Sequence, residues 1–252
     1  MIIGKEGLEV FYREHEDPWY FSWRAYQHYR YEQYIKVLKK HVPVGGTLLD
    51  IGCGKGYFAN QLSKTGLFPF VVGVDISENA IKQAKKLFLN NKILSFQVQE
   101  LPAINIENKQ FDVVVALEVI YYLPEGDKRQ EAIKNIFNLV KDGGFGLISV
   151  ELVEKHITLN QIIYLLKDAG FIFVEVEQLK NGIYARQERN LCWVYDLCKE
   201  LQAKAKLTYP LIVSLKFLIK FILSSKIIAK IGMFLTKFSY QQPDIIFFLV
   251  KK

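Results

Sequence analysis

The chain has 252 residues, half of them apolar, and a formal net charge of +7. This length and apolar content allow a full hydrophobic core and exclude an intrinsically disordered chain. Its three cysteines give neither an even disulfide set nor a CxxC pair, so we expect a reducing compartment and no bound metal. The N-terminus is too charged for a signal peptide, which predicts a cytoplasmic protein.

The first 45 residues form a segment rich in aromatic side chains. The rings concentrate at Trp19, Tyr20, Phe21, Trp23, Tyr26, Tyr29, Tyr31 and Tyr34. Aromatic rings can stack on sugars and enclose cations, but most often they pack against a protein core. We therefore predict an N-terminal arm over 1–45 in which about half of the rings pack on the core and the others line a binding site.

The most informative segment is LLDIGCGKG at 48–56. Its apolar start predicts a buried strand, and Gly52, Gly54 and Gly56 allow a tight turn and a close ligand before a helix begins. The segment lacks the third glycine of the nicotinamide fingerprint, and it does not match the phosphate-binding loop. Because Asp50 would repel a pyrophosphate and attract an ammonium group, the loop predicts a cationic amino-acid ligand.

A second strand and helix follow the same pattern. The run FVVGVD ends at Asp75, where a carboxylate at a strand tip can accept both hydroxyls of a ribose. Ser77 is placed to cap the next helix. The apolar face of that helix is predicted to contain Ala80, Ile81, Ala84, Leu87 and Phe88. Three further segments come in order: ILSFQVQELP (93–102), FDVVVALEVIYYLP (111–124) and LVKDGGFGLISVE (139–151).

These five segments, which cover 45–151, resemble the class I S-adenosylmethionine-dependent methyltransferases. In that family the first motif reads acidic-x-Gly-x-Gly-x-Gly, and the second ends in an acidic residue at a strand tip. The resemblance implies an α/β fold with a Rossmann-like seven-stranded sheet, helices on both faces and the last strand antiparallel. It also implies S-adenosylmethionine as cofactor and S-adenosylhomocysteine as product. The implied cofactor-binding residues are Asp50, Gly52, Gly54, Gly56, Asp75, Ile76, Glu100, Leu101 and Leu117.

The resemblance further implies a role for most of these positions. Asp50 and Gly52 would serve the methionine end, Asp75 the ribose, Glu100 and the Leu101 amide the adenine, and Leu117 with Glu118 the pocket beside the sulfonium. Methyl transfer requires mainly that the acceptor is positioned and that a proton is removed where one is present. The candidate catalytic residues are Glu118, Tyr122 and His156.

Within the superfamily, short motifs are similar to the nodulation-type N-methyltransferases. These are Asp17-Pro18-Trp19, Tyr31-Glu32 and EVIYYLP at 118–124. The similarity favours an amino sugar or another glycan as acceptor, although short matches do not assign a substrate. We predict methyl transfer to an O or N atom of a small-molecule, glycan or lipid-linked acceptor. The alternative is a non-catalytic S-adenosylmethionine-binding protein that acts through a membrane or protein partner.

We predict one domain over 1–252, with the cofactor-binding core at 46–178. A helix is expected in 157–170 and a sixth strand directly after it. A helical insertion then follows at 179–243, and residues 244–252 form the final strand of the sheet.

The insertion carries the basic character of the chain. Between Leu201 and Pro243 there is no acidic residue, but there are seven lysines: Lys204, Lys206, Lys216, Lys220, Lys226, Lys230 and Lys237. These lysines interrupt every apolar run, so the segment does not predict a transmembrane span. If 211–238 is one helix, five lysines share one side, and it can lie on an anionic membrane. A lid and a dimer surface remain alternatives, whereas nucleic acid is disfavoured because base-reading side chains are missing.

Overall fold

The computed structural model describes residues 4–15, 17–107, 109–152, 157–179, 191–192, 194–198, 200, 209–225 and 245–252. Its helices are α1 Lys5–Glu14, α2 Ala25–His41, α3 Tyr57–Ser63, α4 Glu78–Leu87, the 3₁₀ helix Ile120–Tyr122, α5 Asp127–Leu139, α6 Leu159–Asp168 and α7 Tyr209–Ser224. Its strands are β1 Thr47–Ile51, β2 Phe70–Asp75, β3 Leu94–Val98, β4 Phe111–Leu117, β5 Val140–Glu151, β6 Ile172–Leu179 and β7 Ile245–Lys251.

Contacts divide the chain into two compact units. The first unit takes Met1–Trp19, Tyr31–Gln178 and Ile245–Lys252. The second takes Tyr20–Arg30 and Leu179–Asp244. The first unit contains the described strands of the sheet, except for Leu179 at the end of β6.

The sheet has seven strands in the order β3-β2-β1-β4-β5-β7-β6. Strands β1 to β5 pair in parallel, and β7 runs antiparallel to β5. The predicted seven-stranded α/β fold with an antiparallel last strand is therefore confirmed. Because β1 lies between β2 and β4, the carboxyl ends of the strands that carry the predicted motifs meet at one edge of the sheet.

The helix after β2 begins as the sequence predicts. Ser77 accepts a hydrogen bond from the Ala80 backbone N–H at 3.1 Å, which satisfies one of the free donors at the helix start. Ala80, Ile81 and Ala84 are buried against the sheet, as expected from their spacing. The prediction is wrong at Leu87, which is 48% exposed because it is the last residue of α4, and Phe88 follows the helix as its C-cap.

The amino edge of the sheet is closed by a satisfied carboxylate. Asp112 accepts hydrogen bonds from the Thr47 backbone N–H at 2.7 Å and from Lys141 Nζ at 2.9 Å. Slight burial would raise the pKa of Asp112, but these donors outweigh it and hold the pKa at about 2. The starts of β1, β4 and β5 are thereby joined through one side chain.

Part of the aromatic arm packs on the core of the first unit. Tyr34 is fully buried, with its ring 4.9 Å from that of Phe247 on β7 and 6.0 Å from that of Phe58 on α3. Tyr31 packs on the same Phe58 ring at 4.7 Å. For these two tyrosines the prediction of core packing is confirmed.

In the second unit, α7 turns one side toward an aromatic cluster. Ile219 and Leu223 are buried, in a cluster that also includes Tyr195 and Trp23. Lys216 Nζ lies 5.8 Å from the centre of the Tyr195 ring, and Lys220 Nζ lies 5.6 Å from that of Trp23. These distances allow cation–π attraction, which draws the two lysines toward the cluster.

The condition of a single helix over 211–238, on which the shared side of the five lysines depends, is not met, because α7 ends at Ser224. The Ser224 hydroxyl donates to the Phe221 carbonyl at 3.2 Å, a local bond that competes with the helical pattern. Residues 226–244, with the last three lysines of the segment, lie outside the described residues. Within the described residues, we find no helix with the length and apolarity needed to cross a membrane.

Candidate active site

The glycine-rich turn follows β1 directly and leads into α3. Gly52, Gly54 and Gly56 all have positive φ, at 71°, 52° and 76°. A Cβ atom on Gly52 would lie 2.3 Å from Val119 Cγ2, and one on Gly56 would lie 2.6 Å from the Phe96 ring. Both the backbone conformation and the lack of space therefore require glycine at these two positions.

Asp75, at the end of β2, holds this turn in place. Its carboxylate accepts a hydrogen bond from the Gly54 backbone N–H at 2.8 Å and another from the Ser77 backbone N–H at 2.9 Å. The sequence predicts only a ligand-binding role for Asp75, so the bond to the turn is an additional finding. A carboxylate has about four acceptor sites, so the two bonds leave it acceptor capacity for a hydroxyl group.

Asp50 is a buried carboxylate near the end of β1. It is 3% exposed, and within the described part of the chain its Oδ2 atom has no hydrogen-bond partner. Burial, together with the nearby charge of Asp75, raises the pKa of Asp50 to about 8. A buried acceptor without a donor costs free energy, so this oxygen is suited to receive a cationic ligand group.

Glu118 follows β4 and has a strained backbone. Its φ is 58°, which is unusual for a residue other than glycine, and its N–H donates to the Ser149 carbonyl at 3.0 Å. The carboxylate oxygen Oε1 lies 3.4 Å from both the Tyr34 and the Ser149 hydroxyls. Such strain is found where the surrounding structure fixes a functional side chain.

Tyr122 lies in the 3₁₀ helix that follows Glu118. Its ring is 4.8 Å from that of Tyr121. The buried Arg129 of α5 donates to the Leu123 carbonyl at 3.0 Å and also reaches the Tyr121 carbonyl at 3.4 Å. Arg129 thus fixes the backbone on both sides of Tyr122.

The remaining predicted positions lie at the same edge or outside the described residues. Ile76 directly follows β2, and Leu117 is the last residue of β4. Glu100 is exposed after β3, whereas the adjoining Leu101 is buried. His156 lies outside the described residues, so its candidate role is neither supported nor contradicted.

The structure also brings α1 to this edge, which the sequence reasoning missed. The Tyr12 side chain is buried, and its hydroxyl lies 2.8 Å from the position of a Cβ atom on Gly54. Glu9, one turn earlier, contacts the start of α4. The spacing of Leu8, Phe11 and Tyr12 at i, i+3 and i+4 in KEGLEVFYRE is the signal that could have predicted an amphipathic helix there.

Comparisons with known proteins agree with this architecture. Residues 49–145 match the family described as "Methyltransferase domain". A ubiquinone biosynthesis O-methyltransferase of Coxiella burnetii is 33% identical over 114 residues, which are 45% of this chain and 44% of that protein. The chain thus spans about half the length of the curated relatives it matches.

Two solved structures have a similar fold. The N-methyltransferase NodS from Bradyrhizobium japonicum WM9, in complex with S-adenosylhomocysteine, gives a TM-score of 0.62 at 21% identity. That match covers 70% of this chain and 90% of NodS. The [4+2]-cyclase SpnF gives a TM-score of 0.60 at 16% identity over 90% of this chain and 82% of SpnF.

The sheet order and the glycine turn with its two carboxylates thus accompany a match to the methyltransferase domain family over 49–145. The likeness to NodS, a nodulation-type N-methyltransferase, is a likeness of fold.

Proposed function

We propose that this protein transfers a methyl group from S-adenosylmethionine to an O or N atom of a small-molecule, glycan or lipid-linked acceptor. The observation that carries the proposal is the Oδ2 atom of Asp50, a buried acceptor without a described partner beside the glycine turn. The ammonium group of the cofactor would satisfy this oxygen with a charge-assisted hydrogen bond.

The other predicted cofactor residues lie on neighbouring strand ends, in the sheet order that the cofactor assignment requires. Asp75 would accept the ribose hydroxyls, while Glu100 and the Leu101 amide would hold the adenine. Gly52 directly follows β1 and Leu117 ends β4, and these two strands are adjacent in the sheet. When bound, S-adenosylmethionine supplies a methyl group already activated by the positive sulfur.

The chain's own groups would position the acceptor and remove its proton. Glu118 is the candidate general base, because its carboxylate lies at the strand end and within reach of two hydroxyls. Tyr122 is the candidate for orienting the acceptor lone pair, since Arg129 fixes its segment. His156 remains a third candidate. An amine acceptor that arrives unprotonated would require orientation only.

The alternative function is cofactor binding without transfer, through a membrane or protein partner. A similar fold in a protein named as a [4+2]-cyclase shows that this fold is not restricted to methyl transfer, because the fold alone does not determine the reaction. The two functions differ in one measurable property, the production of S-adenosylhomocysteine in the presence of an acceptor.

The function is tested by calorimetric titration followed by an acceptor screen. We expect the purified protein to bind both S-adenosylmethionine and S-adenosylhomocysteine, and to release S-adenosylhomocysteine with at least one amino sugar, glycan or lipid-linked compound. The Glu118→Gln variant should keep cofactor binding and lose turnover by about 100-fold or more. Binding without turnover on any acceptor would favour the non-catalytic function, and no binding at all would overturn the proposal.

We also propose that the protein works at the cytoplasmic face of an anionic membrane, which it contacts through 211–238. In α7 the side away from the aromatic cluster exposes Leu215, Phe217, Leu218 and Phe221, by 43%, 76%, 55% and 66%. Large exposed apolar side chains of this kind mark interaction surfaces. The surrounding segment from 201 to 243 carries lysines and no acidic residue, a charge that suits anionic headgroups.

Flotation with liposomes tests this contact. We expect the protein to float with phosphatidylserine vesicles and to lose that association when Phe217, Leu218 and Phe221 are all changed to glutamine. A matched control changes Leu87 and Leu89 to glutamine, since both are also exposed apolar residues but lie in the first unit. Equal flotation of the α7 variant and the wild type would remove the membrane proposal.

A further inference from the structure

Helix α1 is attached to the start of α4 through one carboxylate. Glu9 Oε1 accepts from the Glu78 backbone N–H at 2.5 Å, and Oε2 accepts from the Asn79 backbone N–H at 3.2 Å. The Asn79 side-chain amide and the Ser77 hydroxyl donate to Oε2 at 2.6 and 3.1 Å. The first N–H groups of a helix have no partner within the helix, and the helix dipole favours a negative charge beside them.

The attachment continues along α4. Gln83 Nε2 donates to the Tyr12 carbonyl at 2.7 Å, one helical turn beyond the Glu9 contact. At the other end of α1, the Trp19 ring lies 5.0 Å from that of Phe11. Slight burial acts to raise the pKa of Glu9, but the backbone donors of Glu78 and Asn79 outweigh it and lower the pKa. The carboxylate is therefore ionised at neutral pH.

This attachment brings the Tyr12 side chain onto the glycine turn. Its hydroxyl lies against Gly54, whose N–H is bonded to Asp75. Burial, followed by the nearby charge of Asp75, raises the pKa of Tyr12, so the hydroxyl stays neutral at the turn. Gly54 and Asp75 are the residues to which the proposed function gives the cofactor. With the cofactor assigned to Gly54 and Asp75, Tyr12 and the cofactor would compete for one place.

We propose that α1 is a cover over the cofactor site, that Glu9 holds it closed, and that the cofactor enters only after Tyr12 leaves the glycine turn. This inference rests on the proposed function for the identity of the ligand. Binding would then need an open form of the protein, and the closed form lowers the apparent affinity in proportion to its population. A weaker attachment should make binding faster and tighter. If α1 instead helped to hold the cofactor, a weaker attachment would make binding slower and weaker.

The test is the association rate of S-adenosylhomocysteine, measured by stopped-flow tryptophan fluorescence. Glu9→Gln keeps one acceptor but removes the charge, and we expect it to raise the association rate constant about tenfold. The matched control is Glu6→Gln, which removes the same charge from the same helix at an exposed position. We expect the control to bind at the wild-type rate. An unchanged or slower association rate in Glu9→Gln would overturn the proposal that α1 covers the cofactor site.

A double variant tests whether Glu9 acts through Tyr12. If the only effect of Glu9 on binding is to keep Tyr12 on the turn, the double variant should have the same association rate constant as Tyr12→Ala alone. Additive effects in the double variant would mean that Glu9 influences the site by another route, and would overturn the role given to Tyr12.

A measurement without ligand separates this inference from the proposed function. Arg13 is an exposed trypsin site within α1, and cleavage after it should be about tenfold faster in Glu9→Gln than in the wild type or Glu6→Gln. Equal cleavage would overturn the attachment whether or not a cofactor binds. If cleavage differs but no variant binds S-adenosylhomocysteine, the proposed function fails while the attachment of α1 stands.

Discussion

Replacing Asp75 with alanine is expected to weaken the binding of S-adenosylhomocysteine by at least about tenfold. The carboxylate has two tasks that the change removes together. It holds the glycine turn through the Gly54 and Ser77 N–H groups, and in the proposed complex it also accepts the ribose hydroxyls. Asp75→Asn keeps one acceptor oxygen and should lie between the wild type and alanine.

Isothermal titration at constant pH measures this change, and Asp112→Ala is its matched control. Asp112 is also bonded to a backbone N–H of the same sheet, but it lies at the opposite, amino edge. Its removal should lower the melting temperature and leave the affinity unchanged. If Asp75→Ala binds as tightly as the wild type, neither the ribose assignment nor the role of the turn in binding can stand.

The second large effect concerns pH and Asp50. With a pKa of about 8, Asp50 is protonated at neutral pH before ligand binds. The ammonium group of the cofactor favours the ionised form, so binding should release a proton. Affinity should then rise with pH by up to about tenfold per unit below pH 8. Asp75 is the charged group whose field acts on Asp50, and its own pKa is raised by burial.

Titrations with S-adenosylhomocysteine between about pH 5.5 and 7, where an α-amino group keeps its proton, test this expectation. Repeating them in two buffers with different ionisation enthalpies counts the protons released. Asparagine cannot ionise, so the Asp50→Asn variant should bind S-adenosylhomocysteine weakly. Its binding should release one proton fewer than that of the wild type. A wild-type affinity that is flat over this range would show that Asp50 does not receive the ammonium group.

The raised pKa of Asp50 also determines how the stability of the fold changes with pH. Its folded pKa lies above the ordinary value of 3.8, so the folded state binds more protons than the unfolded state between these two pH values. The contribution of Asp50 to the free energy of unfolding should therefore fall as pH rises from about 4 to 8, and Asp50→Asn should remove that contribution to the slope.

The sequence predicted the parts of the site that local patterns determine. An apolar run that ends in an acidic residue before a turn predicts a strand tip, and β1 and β2 end as expected. The spacing of the glycines and the cap at Ser77 likewise depend on neighbouring residues only. The antiparallel last strand came from the family resemblance, not from the residues of β7.

Contacts between distant residues could not be predicted in this way. Glu9 and Asn79 are separated by 70 positions, and no short pattern in either segment reveals their bond. The second role of Asp75 was missed for a related reason, since the bond to Gly54 depends on how two strand ends meet.

The amino edge of the sheet has a carboxylate that contributes to stability, whereas the opposite edge has one that is suited to bind a ligand. Asp112 at the amino edge has donors for its carboxylate, whereas Asp50 at the other end of the neighbouring strand is buried without a described partner for Oδ2. A selection for thermostability alone would therefore be expected to replace Asp50 with an apolar residue and to keep Asp112. Directed evolution of this protein should consequently hold Asp50 fixed, because a stabilising substitution there would also remove the proposed ligand contact.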